Sequence, residues 1–550
     1  MKRILAFVMA AVLLMSLAAC GGDNTAADDG AQVTPVVLAP VTERYGDAVH
    51  IALSDTMTEA PEGVTLSHDI VYYEAGKDFT YGEGTVEDEH TAEEAAEHLV
   101  VTITRPGEYL LTGILNRGQI AVDLGDDAEE DPNAVVTLIF GGADITCTVA
   151  PAVIFYNVYE CGDSENPTKD VDTSKAGANV TIADETENYV NGSYVARIYK
   201  SVVLSDDGAE VIDSKKLHKY DGAFYSKMSM NLDGGEQSTG SLLINAANEG
   251  LDSEMHLTIN GGFIKINSGN DGINTNEDGV SVTTINGGNV DITVNGSTGE
   301  GDGIDSNGWL VINGGTVTTQ GCSFSGDAGI DSDMGIYLNG GTVLAAGNML
   351  DHIAGGDATY GVFQFNSRKP EGALQLKNAK GETVLEWTPA GAYSYVVMSA
   401  PSLTEGDYTL WCGDTQLQHG GTSEVVGGRG PNAWMELPEG FDPENMQLPE
   451  GIMRPEGMER PEGMVPPEGM ELPEGMERPE SMEPPEGMEL PEGMERPEGM
   501  EPPNGMEPPN GMEPPNGMQR PEGMGGMPQG SAETDDAFTI FEGGNTFVIA

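Results

Sequence analysis

Between residues 249 and 333 an acidic side chain returns at one place in a short repeated motif. The copies read Glu249-Gly250-Leu251-Asp252-Ser253, Asp271-Gly272-Ile273-Asn274-Thr275, Asp302-Gly303-Ile304-Asp305-Ser306 and Ala328-Gly329-Ile330-Asp331-Ser332. Residues 241–350 hold 13 Asp or Glu and a single Lys or Arg, Lys265. If the copies stack, Asp252, Asn274, Asp305 and Asp331 form one column, and Asp271, Asp302 and Asp327 form a neighbouring one. Carboxylates placed so, without a basic partner, cost free energy or take up protons. A hard cation resolves the conflict. Calcium accepts about six to eight oxygens from carboxylates, amides and carbonyls, and tolerates irregular geometry. The expected cofactor is therefore calcium, with Asp252, Asp271, Asn274, Asp302, Asp305, Asp327, Asp331 and Asp333 as its ligands. The alternative is that these side chains only cap tight turns through local hydrogen bonds.

Stacking is what a second motif predicts. Asn260-Gly261-Gly262, Asn286-Gly287-Gly288, Asn313-Gly314-Gly315 and Asn339-Gly340-Gly341 follow one another at spacings of 26, 27 and 26 residues. A period of that size marks a solenoid. Three short strands fit in each unit, as in Gly303–Ser306, 309–312 and 316–319. Antiparallel hairpins also favour Asn-Gly, but a propeller blade needs roughly 40–50 residues. The spacing thus predicts an all-β chain wound as a parallel β-helix, with three-strand coils of about 26 residues. Coils stack at about 4.8 Å. Leu251, Ile273, Ile304 and Ile330 then make an inward aliphatic column, and the four Asn residues a hydrogen-bonded ladder. The second motif's spacings of 22, 31 and 26 place extra residues in loops, notably 296–301.

The same reading divides the whole chain. Lys2 and Arg3 precede an apolar run over residues 4–17, too short to span a bilayer as a helix, which ends in Leu17-Ala18-Ala19-Cys20. That pattern resembles a bacterial lipobox. It predicts a signal peptide over 1–19, lipidation of Cys20, a tether over 20–48, and a location outside the cytoplasm on the cell membrane. The β-helix is expected over 49–370, with early strands near 100–104, 108–112, 120–124, 135–140, 152–156 and 179–183, and a short helix near 90–98. A small β cap over 371–430 protects the open end. Residues 431–530 repeat the hexapeptide Arg-Pro-Glu-Gly-Met-Glu, carrying 23 acids and 5 bases. Such a tail cannot bury a core and extends by self-repulsion. Residues 531–550 turn apolar again and read as a short β segment able to dock back on the cap. The net charge of −65 excludes nucleic acid as a partner. Cys147, Cys161, Cys322 and Cys412 have no zinc spacing, and free thiols and three disulfide pairings stay open.

At these residues the chain resembles bacterial carbohydrate-binding domain proteins whose fold is a polysaccharide-lyase-like right-handed parallel β-helix. The likeness covers roughly residues 49–425. It includes Gly107-Glu108-Tyr109-Leu110-Leu111-Thr112-Gly113, Gly118-Gln119-Ile120-Ala121-Val122, Gly222-Ala223-Phe224-Tyr225-Ser226-Lys227, the coil motifs, and Ser402-Leu403-Thr404-Glu405-Gly406-Asp407-Tyr408-Thr409-Leu410. The resemblance implies binding of plant cell-wall polysaccharide, cellulose or acidic pectin fragments, with calcium at the helix surface. The chain departs from it in an insertion over 160–177 and in its tail.

In pectate lyases of the fold that the resemblance implies, a positioned Arg or Lys usually serves as base. The acidic coils offer only Lys265, in an outward strand position, while Lys215, Lys216, His218 and Lys219 read as a solvated turn. The expected function is a non-catalytic, monomeric, surface-anchored binder of polysaccharide. A calcium-dependent polysaccharide lyase is one alternative. An adhesive surface protein with a protein partner is the other. Aromatic residues are 6% of the chain. Trp309 and Tyr337 share a phase in successive coils and are the expected sugar contacts; filling the coil or covering a neighbour is the competing role.

Overall fold

The computed structural model describes residues 38–76, 84–204, 211–370, 372–419, 428–429 and 537–549. The signal segment, Cys20, most of the tether and the hexapeptide repeat lie outside the described residues. Residues 38–46 carry a one-turn helix, Val41–Arg44, in a unit of their own. The second unit begins at Asp47.

From Leu99 the chain winds as a β-helix-like solenoid with three faces of parallel strands. The first face stacks Leu99–Ile103, Gly118–Asp123, Val153–Asn157, Gly222–Ser226, Glu249–Ser253, Ile273–Thr275 and Ile304–Ser306. The second includes Ala178–Ile182, Met230–Gly234, Leu257–Ile259, Val282–Ile285, Trp309–Ile312 and Ile336–Leu338. The third includes Glu187–Gly192, Ser241–Ala246, Phe263–Ser268, Asn289–Val294, Thr316–Gln320 and Thr342–Gly347. The long strand Val136–Thr146 turns the corner between the second and third faces, pairing with a strand of each.

Alternation builds these strands. In Asn289–Val294, Val290, Ile292 and Val294 point inward while the residues between them stay partly open. Leu251, Ile273 and Ile304 pair in register, and they and Ile330 are buried. Each such side chain contributes roughly 1.5–3 kcal/mol relative to exposure. Ile330 differs from the others in its backbone. Residues 328–332 form no strand, although Ile304 N still donates to Gly329 O at 3.2 Å and Asp331 N to Ile304 O at 2.7 Å.

The Asn-Gly-Gly turns close the second face onto the third. Gly288 and Gly315 adopt φ of 83° and 78°, a left-handed conformation that glycine alone enters without strain. Asn286 Nδ2 donates to Asn260 Oδ1 at 2.9 Å, Asn313 to Asn286 at 2.8 Å and Asn339 to Asn313 at 2.7 Å. A second amide ladder lies at the far end of the third face, where Asn245 donates to Asn191 and Asn267 to Asn245.

Both ends are closed. Val64–Ser67 runs antiparallel to Leu99–Ile103, and the helix Ala92–Ala96 carries a capping box from Thr91 to Glu94. At the other end Tyr393–Ser399 pairs antiparallel with Thr342–Gly347, then with Tyr360–Lys369. Gly544–Ile549 adds a further strand beside Tyr360–Lys369, and Phe538–Ile540 joins Gly406–Cys412. These elements share a core of their own, including Phe363, Phe365, Tyr393, Phe538 and Ile549. Residues 195–220 depart from the sequence reading. Lys215, Lys216 and His218 lie in a strand, Val211–Tyr220, of an antiparallel hairpin with Val195–Leu204, rather than in a turn.

Candidate functional site

The first face brings the acid column together. Asp252 pairs with Asn274 and Asn274 with Asp305 in strand register. Asp271 and Asp302 stand one coil apart at the entrance to these strands. Asp271 Oδ1 accepts from Asp302 N at 2.6 Å, and Asp302 Oδ1 accepts from Ala328 N in the next coil. Asp327 Oδ2 accepts from Gly301 N at 2.8 Å. These carboxylates tie coil to coil, and Asp327 Oδ2 also accepts from Ser325 Oγ within its own turn. Asp252 Oδ1 accepts from Asn276 Nδ2, and Asn274 Nδ2 donates to Glu249 Oε1 at 3.0 Å.

Their electrostatics are unfavourable in the ionised state. Burial, then the carboxylates of Glu249, Asp305 and Asp327, push Asp271 well above the usual range. Burial and the carboxylates of Asp271, Asp331, Asp305 and Asp327 do the same to Asp302. Asp302 keeps some accessible surface, but the atoms packed around it desolvate its carboxylate. Burial and Asp351 raise Asp331 to about 7. Asp333 is exposed and raised less deeply, by partial burial and then by Asp278 and Asp351. Lys265 gives no relief, because its Nζ meets Asp291 Oδ2 at 3.0 Å on the third face.

The donor chemistry fits a hard cation. Carboxylates line the surface, and Asn274 Oδ1 is buried with no hydrogen-bond donor. Among the described residues, however, no three His, Cys, Asp or Glu side chains form a ready-made cluster. Coordination would have to be completed by backbone carbonyls, amides and water, which calcium accepts.

The second face carries a groove of about 440 Å³. Its floor is a column in strand register, Asn231, Thr258, Thr284 and Val311, and the Asn260–Asn339 ladder forms one side. The insertion forms the other side through residues 169–174. It is pinned there: Thr173 Oγ1 lies 2.7 Å from Thr258 Oγ1, and Asn231 Nδ2 donates to Thr173 O at 2.8 Å. Lys169 Nζ sits 5.0 Å from the Tyr337 ring centroid, a cation–π contact at the end of the groove.

Trp309 and Tyr337 both stand on this face, but two positions apart. Tyr337 pairs with Val311 and meets Lys169, and neither Trp309 nor Tyr337 is among the residues lining the groove. Sequence reasoning missed Thr258, Thr284 and Val311, although each lies two residues before the Asn of an Asn-Gly-Gly turn. It also left the insertion without a role. The four cysteines from 147 onward are free, with Cys147 and Cys322 buried. Burial, then Glu160, pushes the Cys161 thiol up to about 11.

Comparison with known proteins bears on the same segment. No curated protein matches the chain. Among solved structures, a polysaccharide lyase-like protein from C. thermocellum, determined as a gadolinium derivative, aligns at 21% identity with a TM-score of 0.33, covering 56% of this chain and 93% of that one. Residues 97–359 match the profile of the family described as "Carbohydrate-binding domain-containing protein". That segment contains the acid column, the Asn ladder, the insertion and the groove.

Proposed function

We propose that the protein is a surface-anchored, non-catalytic lipoprotein whose solenoid binds extracellular polysaccharide, acidic or from plant cell walls, with calcium. The observation that carries the reading is the groove within the carbohydrate-binding segment. A ligand that repeats along its own axis meets the same Asn amide at every coil, with Thr258 and Thr284 hydroxyls beside it. Amide and hydroxyl groups are suited to hydrogen-bonding sugar hydroxyls.

Calcium supplies positive charge to the acid column and a bridge to uronate carboxylates. Asp271, Asn274, Asp302 and Asp305 are the residues that would hold it. The non-catalytic part of the reading rests on Lys265, the one Lys or Arg of the acidic coils, which is paired with Asp291 on another face. The anchoring rests on the sequence around Cys20. A glycan array read with calcium and with EDTA tests the reading. Binding of uronate-containing glycans that falls in EDTA is expected. Absence of binding to any glycan, or release of unsaturated uronate products from polygalacturonate, overturns it.

A further inference from the structure

The insertion has two sides. Residues 169–174 wall the groove, whereas residues 159–164 border a larger pocket of about 720 Å³ at the corner of the first face. That volume lies within the range of small-molecule sites, roughly 300–1,000 Å³. The insertion is held over this corner by Glu160, whose Oε2 accepts from Ser229 N and whose Oε1 accepts from Ser229 Oγ, both at 2.6 Å.

Three tyrosines from separate strands converge in the pocket. Tyr156 and Tyr220 meet edge to face at 5.6 Å, and Tyr220 and Tyr225 at 5.1 Å. Tyr225 Oη donates to Glu254 Oε1 at 3.1 Å, which fixes that carboxylate against the aromatic wall. Lys227 is the basic side chain among the described lining residues, and its Nζ lies 3.9 Å from Glu129. Aromatic walls with a few placed polar groups are how a ring-shaped ligand is both packed and oriented.

We propose that this pocket is a second carbohydrate site, separate from the groove, that takes an uncharged sugar ring. The inference rests on the carbohydrate-binding reading above. The C–H face of a sugar packs on the phenol rings, and its hydroxyls donate to Glu254 and the neighbouring carboxylates. A uronate would bring its own carboxylate against like charge. The two sites therefore divide the ligands: acidic polymer along the groove of the second face, neutral sugar at the corner of the first, with the insertion as partition.

The test uses the full chain and three probes, a soluble β-glucan oligosaccharide, a glucosamine oligomer and polygalacturonate with calcium. The variants are Tyr156→Ala, Glu254→Gln and, in the groove, Thr284→Glu; melting temperature is recorded for each. Expected are a loss of glucan affinity of about 10-fold or more in both pocket variants, with polygalacturonate binding unchanged, and the reverse pattern in Thr284→Glu. Glu254→Gln keeps the site decisive should Tyr156→Ala unfold. If polygalacturonate binds and the glucan does not, the second site is wrong and the general reading stands. Tighter binding of a glucosamine oligomer than of the glucan at this pocket overturns the assignment to an uncharged sugar. If no probe binds, both readings fail.

Discussion

Asp302 carries two demands that conflict at neutral pH. Its carboxylate must accept the Ala328 N–H that ties one coil to the next, yet burial and four neighbouring carboxylates oppose its ionisation. Asp271 is in the same position, and Asp331 is raised to about 7. The sign of the pH dependence follows. A carboxyl with a raised folded pKa binds its proton more tightly in the native chain than in the unfolded one. Its contribution to stability is complete below the unfolded value near 4 and is lost as pH rises through the folded value. Without divalent cations the melting temperature should therefore be higher near pH 5 than near pH 8, and calcium should recover the difference at pH 8. Asp302→Asn keeps the acceptor oxygen and removes the charge. It should stabilise the metal-free protein at pH 8 by about 1–3 kcal/mol and reduce the calcium response. Thermal melts across pH, with calcium and with EDTA, check both; a flat profile insensitive to calcium would remove the argument for a cation.

At the scale of elements, the Asn-Gly-Gly corner is the joint on which coil stacking depends. Gly315 has φ of 78°, and a Cβ there would stand 2.7 Å from Gly288 O in the preceding coil. Gly315→Ala should cost about 1–3 kcal/mol in urea unfolding, from backbone strain together with the close approach. Asn313→Ala removes one bond given to Asn286 and one received from Asn339, about 0.5–1.5 kcal/mol for each. These corners were legible in the sequence because a coil repeats its spacing wherever geometry permits a single residue type. Thr383–Trp387 and Tyr393–Ser399 were legible for another reason, being β-branched or aromatic runs bounded by turn residues. The hairpin of Val195–Leu204 and Val211–Tyr220 was not, because the lysines of its second strand break the alternation of apolar and polar residues that marks a strand. Neither site's far wall was legible either. The insertion repeats nothing, and Tyr156, Tyr220 and Tyr225 come from different coils with no shared spacing.

The unit that begins at Asp47 contains a stack that needs closure at both ends, since an open solenoid end leaves strand edges and core side chains uncovered. The chain provides the C-terminal closure with residues far apart in sequence. Gly544–Ile549 lies parallel to Tyr360–Lys369, and Phe547 stacks on Phe363 at 5.5 Å. Phe547→Ala should cost about 3–5 kcal/mol. A chain ending at residue 430 should melt at lower temperature than the full one, and equal melting of the two would contradict a closing role for the last strand. The hexapeptide repeat then joins two parts of one cap. What the stack presents is a polar groove along its axis with an acidic surface on the adjoining face. The most direct test of that account is a calorimetric titration of polygalacturonate, in calcium, into the full-length protein and into Thr284→Glu. The account predicts binding by the first and at least about tenfold weaker binding by the second at unchanged melting temperature. Equal affinity of the two proteins would contradict it.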